Sequence, residues 1–167
     1  MKKIFIYSSS NGQSLKICEA LNKNKESLII DMDMLKTTKL DNFDQIVIGA
    51  SVKYGDHNKK VYEFVKKNRV LLEKKKTVFF SVNATARKSE KNTPKTNPYI
   101  IKFLKKTNWT PDHIGVFAGM IDFPNYNFIE KYIIKLIMWI TNGPTDTSKT
   151  FEFTNWDDVK KFSEEIN

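Results

Sequence analysis

The stretch KKIFIYSSSNGQSLKICEAL, Lys2 to Leu21, decides the fold. Ile4, Phe5, Ile6 and Tyr7 form a short, nearly continuous apolar run, as a strand covered on both faces requires. The run ends in Ser8, Ser9, Ser10, Asn11 and Gly12, and helical spacing takes over after them. A strand, a small-residue loop and a helix start together make an anion site. The first helical turn has unpaired amides, and its dipole favours negative charge. The serines add hydroxyl donors, and Gly12 lets a ligand approach the backbone. Neither GxxxxGKS nor GxxxxGKT is present, which disfavours a P-loop, and GxGxxG is absent too, although Asp31 stands where a dinucleotide site would want an acid. What remains suits a single phosphate. An ordinary Ser/Asn cap without a ligand is the alternative.

Outward from this loop, the same alternation repeats. Lys3–Ser8, Gln45–Val52, Thr77–Ala84 and His113–Ile121 read as buried strands, with a weaker one at Ser27–Met32. Helical patterns fall at Ser14–Asn24, Lys59–Leu72, Pro98–Thr107 and Trp156–Ile166. The pattern predicts an α/β domain, residues 1–167, with a doubly wound, five-stranded parallel sheet. Two stretches depart from it. Ala86–Asn97 is polar and lysine-rich, and reads as an exposed loop. Residues 122–147 form a long, partly helical insertion, of a length that usually carries function or association.

Composition narrows the class. Hydrophobic residues at 40% support a packed core. The lone Cys18 cannot make an internal disulfide, in keeping with a reducing compartment. No secretory signal is expected, and no run of apolar residues is long enough to span a bilayer. The net charge of +9 points towards polyanions or anionic membranes, yet only Arg69 and Arg87 are arginines. The lysines are dispersed and no aromatic sheet face suggests an RNA platform, so a nucleic-acid partner is not expected. No metal-ligand cluster or catalytic triad is apparent.

In open α/β sheets, ligands sit beyond the carboxyl ends of the strands. Here those ends read ASVKYGDHN (Ala50–Asn58) and SVNATARK (Ser81–Lys88). Tyr54 can stack on a planar ligand whose edges bond to loop amides, or it is a plain surface residue. The SSSNGQS, GASVKYG and SVNATARK turns together resemble the flavodoxin-like fold that binds FMN. VIGASVKYGDHN, FVKKN, SVNATARKSEKNTPKTN, KFL, IIKLIMW and TDT, in that order, resemble the bacterial flavodoxin-like, menaquinone-dependent protoporphyrinogen IX dehydrogenases of haem synthesis. Ordinary flavodoxins lack the KSEKNTPKTN-type loop and the IIKLIMW insert.

That resemblance implies FMN as cofactor, with the phosphate loop on Ser9, Ser10, Asn11, Gly12, Gln13 and Ser14. It places the ring loops on Ser51, Val52, Lys53, Tyr54 and Gly55, and on Asn83, Ala84, Thr85, Ala86 and Arg87. The family often has threonine where this chain has serine, which keeps the hydroxyl. The implied reaction removes six electrons from protoporphyrinogen IX, and a quinone (menaquinone or ubiquinone) reoxidises the flavin. Arg87, Lys88 and Lys91 are candidates to pair with the substrate propionates, Arg87 foremost because it offers a bidentate fork. A solvated charge run is the alternative. Phe123 and Tyr126 are candidates to line the substrate pocket.

The segment Phe128–Thr141 is apolar around most of its circumference, with Lys131 and Lys135 as a narrow polar stripe. As a helix it spans about 21 Å, short of the ~30 Å bilayer core. It suits the membrane interface on the cytoplasmic side of the cell membrane, as a peripheral anchor. A core helix or a homo-oligomer interface is the alternative. His57 reads as a solvated loop histidine. A flavodoxin-type electron shuttle without an organic substrate is the competing function. The basic charge and the apolar insertion count against it.

Overall fold

The computed structural model describes residues 1–23 and 27–167. Strands β1 (Lys3–Ser8), β2 (Leu28–Asp31), β3 (Gln45–Lys53), β4 (Asp56–His57), β5 (Lys76–Val82) and β6 (His113–Phe117) make one six-stranded sheet. Its order is β2-β1-β3-β5-β6, parallel throughout, with β4 folded back antiparallel on β3. The expected five parallel strands are therefore present, and the short β4 is added to them.

Side chains alternate between two apolar layers, as period-2 geometry dictates. Ile4, Ile6, Ile46, Ile48 and Phe79 face α2 (Lys59–Lys67), α3 (Arg69–Leu72) and α4 (Pro98–Thr107) through Val61, Val65, Leu72, Ile100 and Phe103. Phe5, Val47, Val78 and Phe80 face α1 (Gln13–Leu21) and α6 (Trp156–Ile166) through Ile17, Cys18, Leu21, Val159 and Phe162. Such two-sided burial explains why the strands read as continuous hydrophobic runs.

Local chemistry sets the helix ends. Asn58, Asn97 and Asn155 cap α2, α4 and α6 with their side-chain oxygens, and Pro98 opens α4 at a position where no amide partner is lost. The helix expected over Lys59–Leu72 breaks at Asn68, whose side chain turns back to the Phe64 carbonyl at 2.9 Å. Asn24, the last residue of the first expected helix, lies outside the described residues. Ala86–Asn97 is not the wholly exposed loop expected. Two 3-10 turns, Ala84–Arg87 and Ser89–Lys91, fold it, and Ala86 and Asn97 are buried.

The run His113–Ile121 also divides. β6 ends at Phe117, and β7 (Met120–Asp122) pairs antiparallel with β8 (Thr150–Glu152) in a separate two-stranded sheet. The returning chain supplies the reason. Thr154 Oγ1 donates to the Ala118 carbonyl at 2.8 Å, and the Phe153 amide donates to Gly119 at 3.1 Å. Between β7 and β8 lies α5 (Phe128–Ile140), opened by a reciprocal capping box between Asn127 and Glu130.

Candidate functional site

Three loops converge at the carboxyl end of the sheet. The first leaves β1 and enters α1 through Gly12, whose φ of 81° places it in the left-handed region without a side-chain cap. The Ser14 amide donates to Ser9 Oγ at 3.3 Å, and the Gln13 amide donates to Asn11 Oδ1 at 3.4 Å. Both are long contacts that an anion can displace. Ser14 Oγ is buried with no hydrogen-bond partner among the described residues. A buried hydroxyl left alone costs about 1–3 kcal/mol, which a phosphate oxygen at the helix start would recover. Nothing lies within 4 Å of the space a Gly12 side chain would fill. The loop therefore fits a phosphate. The Gln13 side chain is engaged elsewhere, donating to Glu152 at 2.9 Å and Thr154 at 2.7 Å.

The second loop is a two-residue hairpin turn between β3 and β4. Tyr54 (φ 53°) and Gly55 (φ 82°) both take positive φ, as a type I′ turn demands, and for a tyrosine this conformation is rare. The third loop is the Ala84–Arg87 turn, fixed by Asn83, whose side-chain oxygen accepts from the Ala86 amide at 3.0 Å. Ser51 joins the first loop to the second, its Oγ accepting from the Ser10 amide at 3.1 Å.

Between these loops and α5 lies a cavity of about 490 Å³. Ser10, Asn11, Ser51, Val52, Lys53, Tyr54, Gly55, Asn83, Ala84, Thr85, Arg87 and Tyr126 line it, so the three loops and one pocket candidate are brought together. Ser9, Gly12, Gln13, Ser14, Ala86, Lys88, Lys91 and Phe123 are not in its wall. The first four form the helix-start cradle beside it, and Phe123 packs in a small core with Ile121 and Met138 behind it. Sequence reading missed Glu130, Ile134, Ile137, Met138 and Thr141, the wall contributed by α5. Their spacing of four, three, one and three residues is that of one helix face, a signal that was available.

α5 is held at both ends to the second and third loops. At its start, Glu130 Oε1 accepts from Lys53 Nζ at 2.6 Å and Tyr54 Oη at 2.7 Å. These bonds, Lys53 first, hold the Glu130 carboxyl below its usual range. At its end, Arg87 donates to the Thr141 carbonyl at 2.9 Å, to Thr141 Oγ1 at 2.8 Å and to the Ala84 carbonyl at 2.8 Å. Among the described residues the acceptors that meet the guanidinium are neutral, two backbone carbonyls and a hydroxyl.

His57 is not a solvated loop residue. It is 4% exposed in β4, boxed by the rings of Phe79, Phe103 and Tyr62, and hydrogen-bonded through Nε2 to Ser81 Oγ at 2.9 Å. Burial pushes its pKa down to about 4, so the imidazole is neutral at ordinary pH.

A parallel sheet in the 2-1-3-4-5 order of its parallel strands, with a small-residue loop and a helix start after the first and two further loops converging beyond the next, defines a flavodoxin-like protein. The match to the family described as "Flavodoxin domain" spans residues 4–148. The chain belongs to this family and, within it, to the group named protoporphyrinogen IX dehydrogenase (quinone). It is 39% identical to that protein of Escherichia coli K12, over 99% of this chain and 94% of the relative. It is 33% identical to the Leishmania major protein of the same name, over 99% of this chain and 74% of that one. Among solved structures, oxidised flavodoxin 2 of Bacillus cereus aligns with a TM-score of 0.54 at 14% identity, covering 99% of this chain and 97% of the other. Reduced Megasphaera elsdenii flavodoxin has the same TM-score at 12% identity, covering 71% and 85%. These two likenesses concern the fold alone.

Proposed function

We propose that this chain is an FMN-dependent dehydrogenase that oxidises protoporphyrinogen IX to protoporphyrin IX and passes the electrons to a quinone. The observation that carries this reading is the α5 wall. A flavodoxin-type shuttle needs a cofactor cradle but no chamber for an organic substrate. Here a helix closes such a chamber over the ring loops. The relatives at 39% and 33% identity carry the matching name along nearly the whole chain.

In this reading residues 1–167 act as one unit. Ser9, Ser10, Asn11, Gly12 and Ser14 hold the phosphate with hydroxyls and amides, while the Gln13 side chain braces the loop from behind. Ser51, Val52, Lys53, Tyr54 and Gly55 flank one edge of the ring system, and Asn83, Ala84, Thr85, Ala86 and Arg87 flank the other. FMN, when bound, supplies the hydride acceptor that no side chain can provide. Ile134, Ile137 and Met138 exclude water and offer apolar contact to a macrocycle, with Tyr126 opposite them. Arg87 attracts a propionate and at the same time fixes the end of α5. Lys88 and Lys91 add long-range attraction from outside the cavity.

Purified protein tests the reading directly. It should be yellow, release FMN rather than FAD on denaturation, and turn over protoporphyrinogen IX with a soluble quinone analogue. Protein that takes up no FMN from a saturating solution would sink the proposal. Protein that binds FMN but shows no porphyrinogen turnover would leave only the shuttle.

The finer partner assignment rests on the outer face of α5. Phe128, Ile129, Tyr132, Leu136, Trp139 and Ile140 are all exposed, Phe128 by 85% and Trp139 by 70%. Among the described residues no helix is long and apolar enough to cross a membrane. We infer that α5 lies flat in the interface of the cell membrane on its cytoplasmic side, where a lipid-borne quinone and an apolar substrate reach the cavity along the helix.

A further inference from the structure

Beneath the second and third loops runs a buried polar chain of which the function above uses only Asn83. His57 Nε2 meets Ser81 Oγ at 2.9 Å, Asn83 Nδ2 donates to Ser81 Oγ at 3.0 Å, and Asn97 Nδ2 donates to Asn83 Oδ1 at 3.1 Å. Each of these four side chains is at most 4% exposed. Since Asn83 already donates to Ser81, the hydroxyl proton is free to point at His57 Nε2. The other ring nitrogen, Nδ1, is buried and has no hydrogen-bond partner among the described residues. An apolar residue in this aromatic box would avoid that cost, because a partly satisfied buried network stabilises less than clean packing.

What the chain does achieve is spacing. His57 sits on β4 directly opposite Val52, so it belongs to the Ser51–Gly55 hairpin. Ser81 is the penultimate residue of β5, and Asn83 caps the Ala84–Arg87 turn while lining the cavity. Asn97, at the far end, caps α4 by accepting from the Tyr99 and Ile100 amides. The chain thus ties one ring-flanking loop to the other. We propose that His57 is a positioning residue that, through Ser81 and Asn83, sets the separation of the two loops and hence the fit and electronic environment of the flavin ring. This rests on the reading that the cavity holds FMN.

The test compares His57→Phe, which fills the box but cannot bond Ser81, with His57→Gln, which keeps a polar end. FMN affinity is read by fluorescence quenching, and the bound flavin by its visible spectrum and midpoint potential. His57→Phe should weaken FMN binding about tenfold, the worth of one buried hydrogen bond, and shift both the flavin bands and the potential. His57→Gln should restore them in large part. Thermal stability of His57→Phe should be equal to wild type or higher, which a merely structural role would not produce. Wild-type affinity, spectrum and potential in His57→Phe would overturn the inference. If that variant does not fold, Ser81→Ala decides the same question, since it must show the same flavin shift and an unchanged one overturns it. Wild-type protein that binds no FMN would instead overturn the functional reading itself.

Discussion

Gly49 and His57 show how much a single position can decide. A side chain on Gly49 would place its Cβ 2.1 Å from Phe80 Cζ, inside a ring that is fully buried. The ring has nowhere to go, so Gly49→Ala should lose about 1–3 kcal/mol in a urea titration. His57 carries a pH dependence whose sign follows from its lowered pKa. Between about 4 and its ordinary 6.5 the unfolded chain binds a proton that the folded chain refuses. Its contribution is therefore complete above 6.5 and is lost as pH falls towards 4. Measured against His57→Phe, wild-type stability should drop by about 3 kcal/mol across that window. A constant difference would show that the imidazole is solvated after all. Sequence reading placed His57 in solvent because the turn before it, Tyr54-Gly55, lacks the Asn-Gly or Asp-Gly signature that marks a hairpin.

At the scale of elements, α5 is the piece that distinguishes this chain from a plain electron carrier. Its apolar length was readable, and its observed span, Phe128–Ile140, stops one residue short of the expected one. Its anchors were not readable, because Glu130 and Arg87 find partners 76 and 54 residues away. Arg87→Ala should cost about 1–3 kcal/mol by removing charge-assisted bonds to Thr141 and Ala84. Amide exchange should quicken in the last turn of α5. Porphyrinogen KM should rise by a larger factor than FMN affinity falls. Arg87→Lys should recover part of the charge effect but not the protection of α5, because an ammonium cannot reproduce the fork. Equal loss of FMN and substrate binding in Arg87→Ala would point to misfolding and refute the anchor.

For the whole molecule, the charge of +9 and the apolar outer face of α5 belong together. In the membrane reading proposed above, the lysines would draw the protein to an anionic bilayer and the helix would then insert. Sedimentation with vesicles should show binding to phosphatidylglycerol-containing bilayers that is weakened but not abolished by salt. Trp139→Glu should abolish it, while leaving FMN binding intact because Trp139 is 70% exposed and does not line the cavity. Retained vesicle binding in that variant would turn attention to the same face as a subunit interface.

The sequence by itself determined the sheet, its two-sided burial, the small-residue loop between β1 and α1, and the apolar helix, because strand period, cap residues and turn chemistry act over a few neighbours. Only the tertiary structure decided that His113–Ile121 splits between two sheets, that His57 lies in the core, and that α5 walls a cavity closed by Glu130 and Arg87. Those outcomes depend on carbonyls and side chains meeting across tens of residues. Local pattern carries no record of such meetings, since they exist only once the chain has packed.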